Sequence, residues 1–123
     1  MSSFDTLIVW KKSHELTLKI YEITKTFPRE EIFSITSQLR RAAYSIPSNI
    51  VEGRTKSTIA HRLSFISHST GSLEEVKYFL LLSRDLNYLT TEKYNELIPF
   101  LEEVGKLLNG YEKFIKKDKY SKQ

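Results

Sequence analysis

The chain has 123 residues, of which 40% are hydrophobic, with a net charge of +4, four glycines, three prolines and no cysteine. This length suits a single domain over residues 1–123, and the lack of cysteine excludes disulfides and thiolate metal sites. Few glycines and prolines argue against an all-β fold with many turns. The N-terminal stretch has no leader pattern and no apolar run of membrane-spanning length, which predicts a cytoplasmic protein without membrane contact.

The first helix is predicted over residues 5–26, with Asp5 as its N-cap. Pro28 should end it, because the residue before a proline resists the α conformation. Apolar residues at helical spacing form its inward side, namely Trp10, Leu16, Ile20, Ile23 and Phe27.

The second helix is predicted over residues 31–53, although it contains the turn-forming run SIPSNIVEG. One apolar stripe passes straight through that run, formed by Ile32, Ile35, Leu39, Ala42, Ile46 and Ile50. We therefore expect a helix in which Pro47 loosens one turn and Gly53 is a left-handed C-terminal cap.

The third helix is predicted over residues 57–89 and the fourth over residues 91–117, followed by a disordered tail at 118–123. A seam with alternating spacings of three and four defines the fourth helix: Tyr94, Leu97, Leu101, Val104, Leu108, Tyr111 and Ile115. Short connections favour antiparallel neighbours, so the fold class is an all-α, up-down-up-down four-helix bundle. A second apolar row beside the seam, at Ile98, Phe100, Leu107 and Phe114, leaves surface for a homo-oligomer.

Positive charge is concentrated in two blocks that flank an acidic one. Residues 40–62 contain a single carboxylate against five cations, Arg40, Arg41, Arg54, Lys56 and Arg62. The C-terminal block adds Lys113, Lys116 and Lys117 among its lysines. We interpret these cations as candidate contacts to the phosphates of RNA or DNA. The alternative is a solubilising surface and a helix end whose cations suit the macrodipole.

Polar residues of the second helix fall in one register beside the apolar stripe: Gln38, Arg41, Ser45, Asn49 and Glu52. Gly71 and Ser72 lie in a small polar patch of the third helix, and Gly71 should let another helix approach closely. We predict an interhelical or interchain hydrogen-bond network with Ser45 and Asn49 bonded across to this patch. A catalytic or ligand-binding role is the alternative.

No pattern of catalytic or metal-binding residues is specific. The three histidines lack zinc-ligand spacing, and no phosphate loop or nucleophile motif is present, so we predict no metal and no cofactor. Two pairs, Arg54 with His61 and Arg62 with His68, match the spacing of helical-bundle ribonucleases of the HEPN type. Two such matches are only mildly unusual by chance, and neither has that family's flanking polar residue, so we do not predict an enzyme.

Four stretches in this order carry a family pattern: Phe4-x-x-Leu7-x-x-Trp10-Lys11, Phe27-Pro28-x-Glu30-Glu31, Gln38-Leu39-Arg40-Arg41-Ala42-Ala43-x-Ser45-Ile46-x-x-Asn49-Ile50-x-Glu52-Gly53, and Gly71-Ser72-x-x-Glu75. They resemble the four-helix-bundle family named for intervening sequences in 23S ribosomal RNA genes. The chain departs from that pattern at Val51, where alanine is usual, and in the polar residues before Gly71.

The resemblance implies a left-handed bundle that assembles as a homopentamer, in a family without known catalytic residues. Related proteins, the accessory variability determinants of diversity-generating retroelements, are basic pentameric barrels that bind a reverse transcriptase and nucleic acid. We therefore expect a non-catalytic homo-oligomer that binds RNA, DNA or a nucleic-acid-processing protein. The alternatives are a protein interaction module without nucleic-acid binding and, less favoured, a ribonuclease.

Overall fold

A computed structural model describes residues 4–117, and the tail predicted at 118–123 lies outside the described residues. In the described range the chain is all-α: the helices are α1 (Ile8–Thr24), α2 (Ile35–Gly53), α3 (Ile59–Asp85) and α4 (Thr91–Lys116). Short 3-10 turns precede α1 and α2, at Phe4–Thr6 and Arg29–Glu31. The predicted all-α class is confirmed. None of these four helices is long and apolar enough to cross a membrane.

The four helices enclose one core. α2 packs most extensively on α3, α1 packs on α2 and α4, and α3 packs on α4. Within the pairs, contacts run in opposite order along the chain: Thr17 with Ala43 and Thr24 with Arg40 between α1 and α2, and Leu73 with Gly105 and Arg84 with Tyr94 between α3 and α4.

The apolar seam of α4 faces this core as predicted. Five of its members are buried, Leu97, Leu101, Val104, Leu108 and Ile115, while Tyr94 and Tyr111 are half-buried. Thr90 caps the helix, since its hydroxyl accepts a hydrogen bond from the Lys93 amide at 3.1 Å. Pro99 lies within the helix on the exposed side, so water can solvate the Asn95 carbonyl that loses its helical partner.

Two predictions at the starts of α1 and α2 are wrong. Asp5 lies in a 3-10 turn, and the N-cap of α1 is Leu7, because the chain is already turning before the helix begins. Ile32 is 51% exposed, since it precedes α2 and does not follow the helical register. The buried stripe of α2 therefore begins beyond Ile32, at half-buried Ile35 and fully buried Leu39.

The carboxylate of Glu31 stabilises the start of α2. It accepts hydrogen bonds from Ser34 Oγ and from the Tyr88 hydroxyl, the latter at 2.7 Å. These two bonds, in that order, and the Ile35 amide hold the pKa of the Glu31 carboxyl below its usual value. Because Tyr88 follows α3, the contact joins the α1–α2 connection to the α3–α4 connection.

α3 ends at Asp85, four residues before Leu89, where the prediction had placed the end, and Asn87 is the residue that follows its C-cap. Asn87 has a φ of 64°, in the left-handed region that asparagine tolerates better than most side chains. The Asn87 amide donates to Arg84 O at 3.0 Å and the Tyr88 amide to Ser83 O at 2.9 Å. This is the Schellman arrangement, which satisfies carbonyls at the helix end.

Pro47 lies inside α2 and is buried, yet the helix continues through it. Proline has no amide hydrogen, so the Ala43 carbonyl loses its partner within the helix. Thr17 Oγ1 of α1 lies 3.1 Å from Ala43 O and 2.8 Å from Ser13 O, so that one hydroxyl proton is shared between these carbonyls. A side chain of α1 thus compensates in part for the hydrogen bond that α2 lacks.

Gly53 is required for helix packing and not for a left-handed turn. No described glycine has a positive φ, and Arg54, the next residue, is right-handed, so the predicted left-handed cap is wrong. A Cβ built on Gly53 would lie 3.0 Å from Phe65 Cβ on α3. The absence of a side chain here allows the end of α2 to approach α3.

We expect Thr17→Val to lower the free energy of unfolding by about 1 to 2 kcal/mol, because it leaves the Ala43 carbonyl without its donor while keeping the side-chain shape. Thr26→Val is the matched control, since its exposed hydroxyl bonds only to Ile23 O of its own segment, and should change stability by less than about 0.5 kcal/mol. Urea denaturation measures both. Equal effects of the two variants would contradict the role assigned to Thr17.

Gly53→Ala should destabilise the protein by about 1 to 3 kcal/mol, because the added methyl group pushes α2 away from α3. Gly110→Ala is the contrasting change, since nothing lies within 4 Å of a Cβ at that position in α4. It should stabilise the helix by about 0.5 to 1 kcal/mol. Thermal and urea denaturation of both variants test the opposite signs, and a Gly53→Ala protein as stable as the parent would refute the packing argument.

Candidate nucleic-acid interface

Three predicted cations lie where α2 ends and α3 begins. Arg54 and Arg62 line a cavity of about 350 Å³, whose other walls come from the start of α1, α3 and the end of α4: Leu7, Gly53, Ile66, Tyr111, Phe114 and Ile115. Lys56 lies in the turn between α2 and α3, two residues after Arg54, which lines this cavity. The fold therefore brings cations of the first charged block to the end of α4.

Local contacts hold these cations in place. Arg62 Nε donates a hydrogen bond to Lys56 O at 2.8 Å, which ties the turn to the first turns of α3. Lys56 Nζ lies 5.1 Å from the centre of the Phe65 ring, a cation–π contact. Burial raises the pKa of the Tyr111 hydroxyl, and the positive charges of Arg54 and Arg62 oppose that rise. The electrostatic influence of both arginines thus reaches α4.

The C-terminal cations belong to the same end of the bundle. Lys113 and Lys116 flank the cavity residues Phe114 and Ile115 in sequence, and Lys117 follows directly. All three lysines are exposed, and Lys116 Nζ lies 4.0 Å from the Glu112 carboxylate, a weak surface pair. We call the surface formed by Arg54, Lys56, Arg62, Lys113, Lys116 and Lys117 the basic end.

Arg40 and Arg41 lie elsewhere. Arg54 follows Arg40 by 14 positions in the sequence, which at 1.5 Å per residue is roughly 20 Å along α2. Arg40 is half-buried, with its Nε bonded to Thr24 Oγ1 at 2.8 Å and its guanidinium 4.8 Å from the Tyr21 ring centre. Arg41 is exposed and has no ion pair within residues 4–117. Arg40 is therefore packed against α1, whereas Arg41 faces solvent.

The predicted polar network does not connect α2 to α3 in the way the sequence suggested. Gln38 and Glu52 are exposed, and Asn49 Nδ2 donates to Ser45 O of its own helix at 2.7 Å. Ser72 is half-buried, and Gly71 is exposed with nothing within 4 Å of a built Cβ, so it is not the point of close approach within the protomer. The interchain form of this network stays a prediction.

The hydrogen bond that does join these helices comes from Ser69. Its hydroxyl is fully buried and donates to Ile46 O at 2.8 Å. Ser69 follows Ile66 by three positions and precedes Leu73 by four, so its register indicates a core position although its polarity does not. The same argument applies to Thr17, which lies three positions before Ile20. Register could have identified both hydroxyls.

The two histidines of the ribonuclease-like pairs lie on α3 around one aromatic ring. His61 is exposed, with its ring 5.6 Å from that of Phe65, and the exposed His68 lies 5.7 Å from the same ring. Within residues 4–117 no three His, Cys, Asp or Glu side chains are grouped so that they could hold a metal ion. The side chains of His61, Phe65 and His68 form an aromatic cluster on α3.

Comparison with known proteins agrees with this architecture. A family model described as 23S rRNA-intervening sequence protein matches residues 5–110. The chain is also similar to the crystal structure of a protein of unknown function from the S23 ribosomal protein family of Bacteroides thetaiotaomicron VPI-5482. The two superpose with a TM-score of 0.78 at 27% identity, over 86% of this chain and 99% of that chain. No curated protein matches the chain.

The packed and the solvent-facing arginine should differ in their effect on stability. Arg40→Ala removes a partly buried hydrogen bond and a cation–π contact, and should destabilise the fold by about 1 to 2 kcal/mol. Arg41→Ala should change the free energy of unfolding by less than about 0.5 kcal/mol. Urea denaturation at neutral pH measures both effects. An Arg40→Ala protein as stable as the parent would show that Arg40 does not hold α1 against α2.

Proposed function

Because this chain belongs to the 23S rRNA-intervening sequence protein family, we propose that it is a non-catalytic, homo-oligomeric helical bundle that binds RNA or DNA through its basic end. The observation that carries this proposal is the convergence of cations from distant parts of the sequence on one end of the bundle. Arg54, Arg62 and the end of α4 meet around a single cavity. A merely solubilising charge distribution would not require that convergence.

The basic end is suited to phosphates and not to reading bases. Its lysines are compact charges on flexible stems, and its arginines lie beside an aromatic residue, Tyr111, at the mouth of a cavity. Such groups neutralise phosphate charge and release condensed counterions, which gives affinity with little sequence preference. Binding should therefore be strong at low salt and weaken steeply as salt is added.

We propose an up-down-up-down topology and assembly as a homopentamer, with the protein in the cytoplasm. The opposite order of contacts along neighbouring helices supports the topology. An apolar groove of about 510 Å³ between the start of α1 and the end of α4 supports assembly, since Ile8 and Phe114 on it are 61% and 69% exposed. The number five rests on the resemblance to pentameric relatives. Repeating the basic end around a ring would raise affinity through multivalency.

A protein partner is the second candidate, and one observation favours it. Phe33 is 92% exposed and lies next to exposed Ile32 in the connection before α2. Apolar side chains of this size on a surface are typical of sites that bind another protein. A nucleic-acid-processing protein held there would be compatible with nucleic acid on the basic end.

The triple variant Arg54→Gln, Lys56→Gln, Arg62→Gln should weaken binding to a fluorescein-labelled RNA or DNA. It should also reduce the slope of log Kobs against log salt by about 2 to 3, since roughly 0.7 to 0.9 is lost per phosphate contact. Fluorescence anisotropy between 25 and about 200 mM salt measures both quantities, in the range where screening changes strongly.

The control for that experiment carries the same change in charge at exposed lysines elsewhere: Lys11→Gln, Lys25→Gln, Lys93→Gln. It should leave the slope nearly unchanged, and native mass spectrometry should find five chains in all three proteins. If the two triple variants lose equal affinity, net charge alone explains the binding and the basic end is not a site. Absence of binding by the parent protein at 25 mM salt would remove the proposed function.

A further inference from the structure

A second cavity, also of about 350 Å³, lies between α1 and α2, away from the basic end. We call it the α1–α2 cavity, and its lining consists of Tyr21, Ile32, Thr36, Ser37, Arg40, Arg41 and Tyr44. Two guanidinium groups and two phenol rings meet there without any carboxylate in the lining. Its volume is near the lower limit of small-ligand sites, about 300 to 1,000 Å³, which is appropriate for a single nucleotide and small for a larger cofactor.

Thr36 is the independent sign of a ligand. Its side chain lines the cavity and the residue is only 5% exposed, yet Thr36 is the one residue of the described range whose buried side-chain oxygen lacks a hydrogen-bond partner. Buried hydroxyls are nearly always paired, because an unpaired one loses the hydrogen bond it had with water. The N-terminus of α2 itself already holds the Glu31 carboxylate, which accepts hydrogen bonds from Ser34 Oγ and the Ile35 amide, so the Thr36 hydroxyl is the group of this turn that is left for a ligand.

The aromatic and cationic side chains of the cavity differ in how firmly other residues hold them. Arg40 is fixed, because its Nε bonds to Thr24 and its guanidinium stacks over the Tyr21 ring. Arg41 is exposed and makes no ion pair within the described part of the chain. Tyr44 is 47% exposed, so a large part of its side chain faces solvent. The cavity thus offers a fixed wall, a solvent-exposed cation without an ion pair and a partly exposed aromatic ring.

We propose that the α1–α2 cavity binds one nucleotide of a single-stranded nucleic acid. Arg41 contacts the phosphate, the Thr36 hydroxyl donates a hydrogen bond to a phosphate or sugar oxygen, and the base stacks on Tyr44. Bases within a duplex stack on each other and cannot reach the ring, so the site selects single strands. This inference rests on the proposed function only in taking nucleic acid as the ligand, because it uses residues outside the basic end.

The test compares single strands with a duplex. Ten-nucleotide RNA and DNA strands that contain 2-aminopurine, and a twelve-base-pair DNA duplex, are titrated with the parent protein, Tyr44→Ala and Tyr78→Ala. Tyr78 is the matched control, an exposed tyrosine of α3. Tyr44→Ala should weaken single-strand binding about 5- to 100-fold and abolish 2-aminopurine quenching, as expected for loss of one stacked base. Duplex binding, and all binding by Tyr78→Ala, should be unchanged.

Two further variants make the result independent of folding defects. Tyr44→Phe keeps the ring and should retain single-strand affinity, whereas Tyr44→Leu keeps apolar bulk without a ring and should lose it. Arg41→Ala should weaken single-strand binding more than Lys93→Ala, a matched loss of an exposed cation. The RNA and DNA arms separate the two sources, since tighter RNA binding that disappears with Thr36→Val would assign the hydroxyl to the ribose.

The outcomes separate this inference from the proposed function. If single strands and duplex bind but Tyr44→Ala weakens neither, or weakens both equally, the nucleotide site is refuted while the basic end stands. If the basic-end triple variant binds single strands normally and Tyr44→Ala does not, the nucleotide site stands and the basic end fails. A parent protein that binds neither probe refutes both.

Discussion

The close packing of α2 on α3 is the constraint on which the rest of the structure depends. Gly53 has no side chain at a position where a Cβ would lie 3.0 Å from Phe65 Cβ of α3, and Ser69 donates a hydrogen bond to Ile46 O across the same interface. The basic end begins directly after Gly53, and the α1–α2 cavity is formed by the opposite end of α2. Any change in the position of α2 would therefore alter both surfaces together.

Much of the fold was predictable from the sequence, for one physical reason. Apolar side chains at spacings of three and four identify the buried side of a helix without knowledge of its partners, and α4 and most of α2 follow this pattern. Some errors concern helix ends, as at Asp5 and Ile32, and others arose where a polar or small residue occupies a core position. Ser69 and Thr17 are buried because a carbonyl on a neighbouring helix receives their protons, and Gly53 is small because Phe65 lies opposite. Those partners become known only when the helices are paired.

The candidate sites were predictable to a lesser degree, since a count of cations does not say which are engaged. Arg40 and Arg41 are adjacent in sequence, but one is held by Thr24 and Tyr21 while the other faces solvent. The role proposed for Tyr44 was not predicted, because an exposed aromatic residue has no periodic signature. The role of the Glu31 carboxylate was not predicted either, because the hydrogen bond it accepts comes from Tyr88, a residue far along the chain.

The two helical prolines have different consequences for how this sequence can change over evolution. Pro99 faces water, so its neighbours are free to vary. Pro47 is buried, and the Ala43 carbonyl it leaves without an amide donor lies 3.1 Å from Thr17 Oγ1. Replacing Thr17 by an apolar residue should cost little stability only in a homologue whose residue 47 is not proline, because that residue then has an amide hydrogen for the carbonyl of residue 43. Positions 17 and 47 should therefore covary among homologues, although their side chains need not touch.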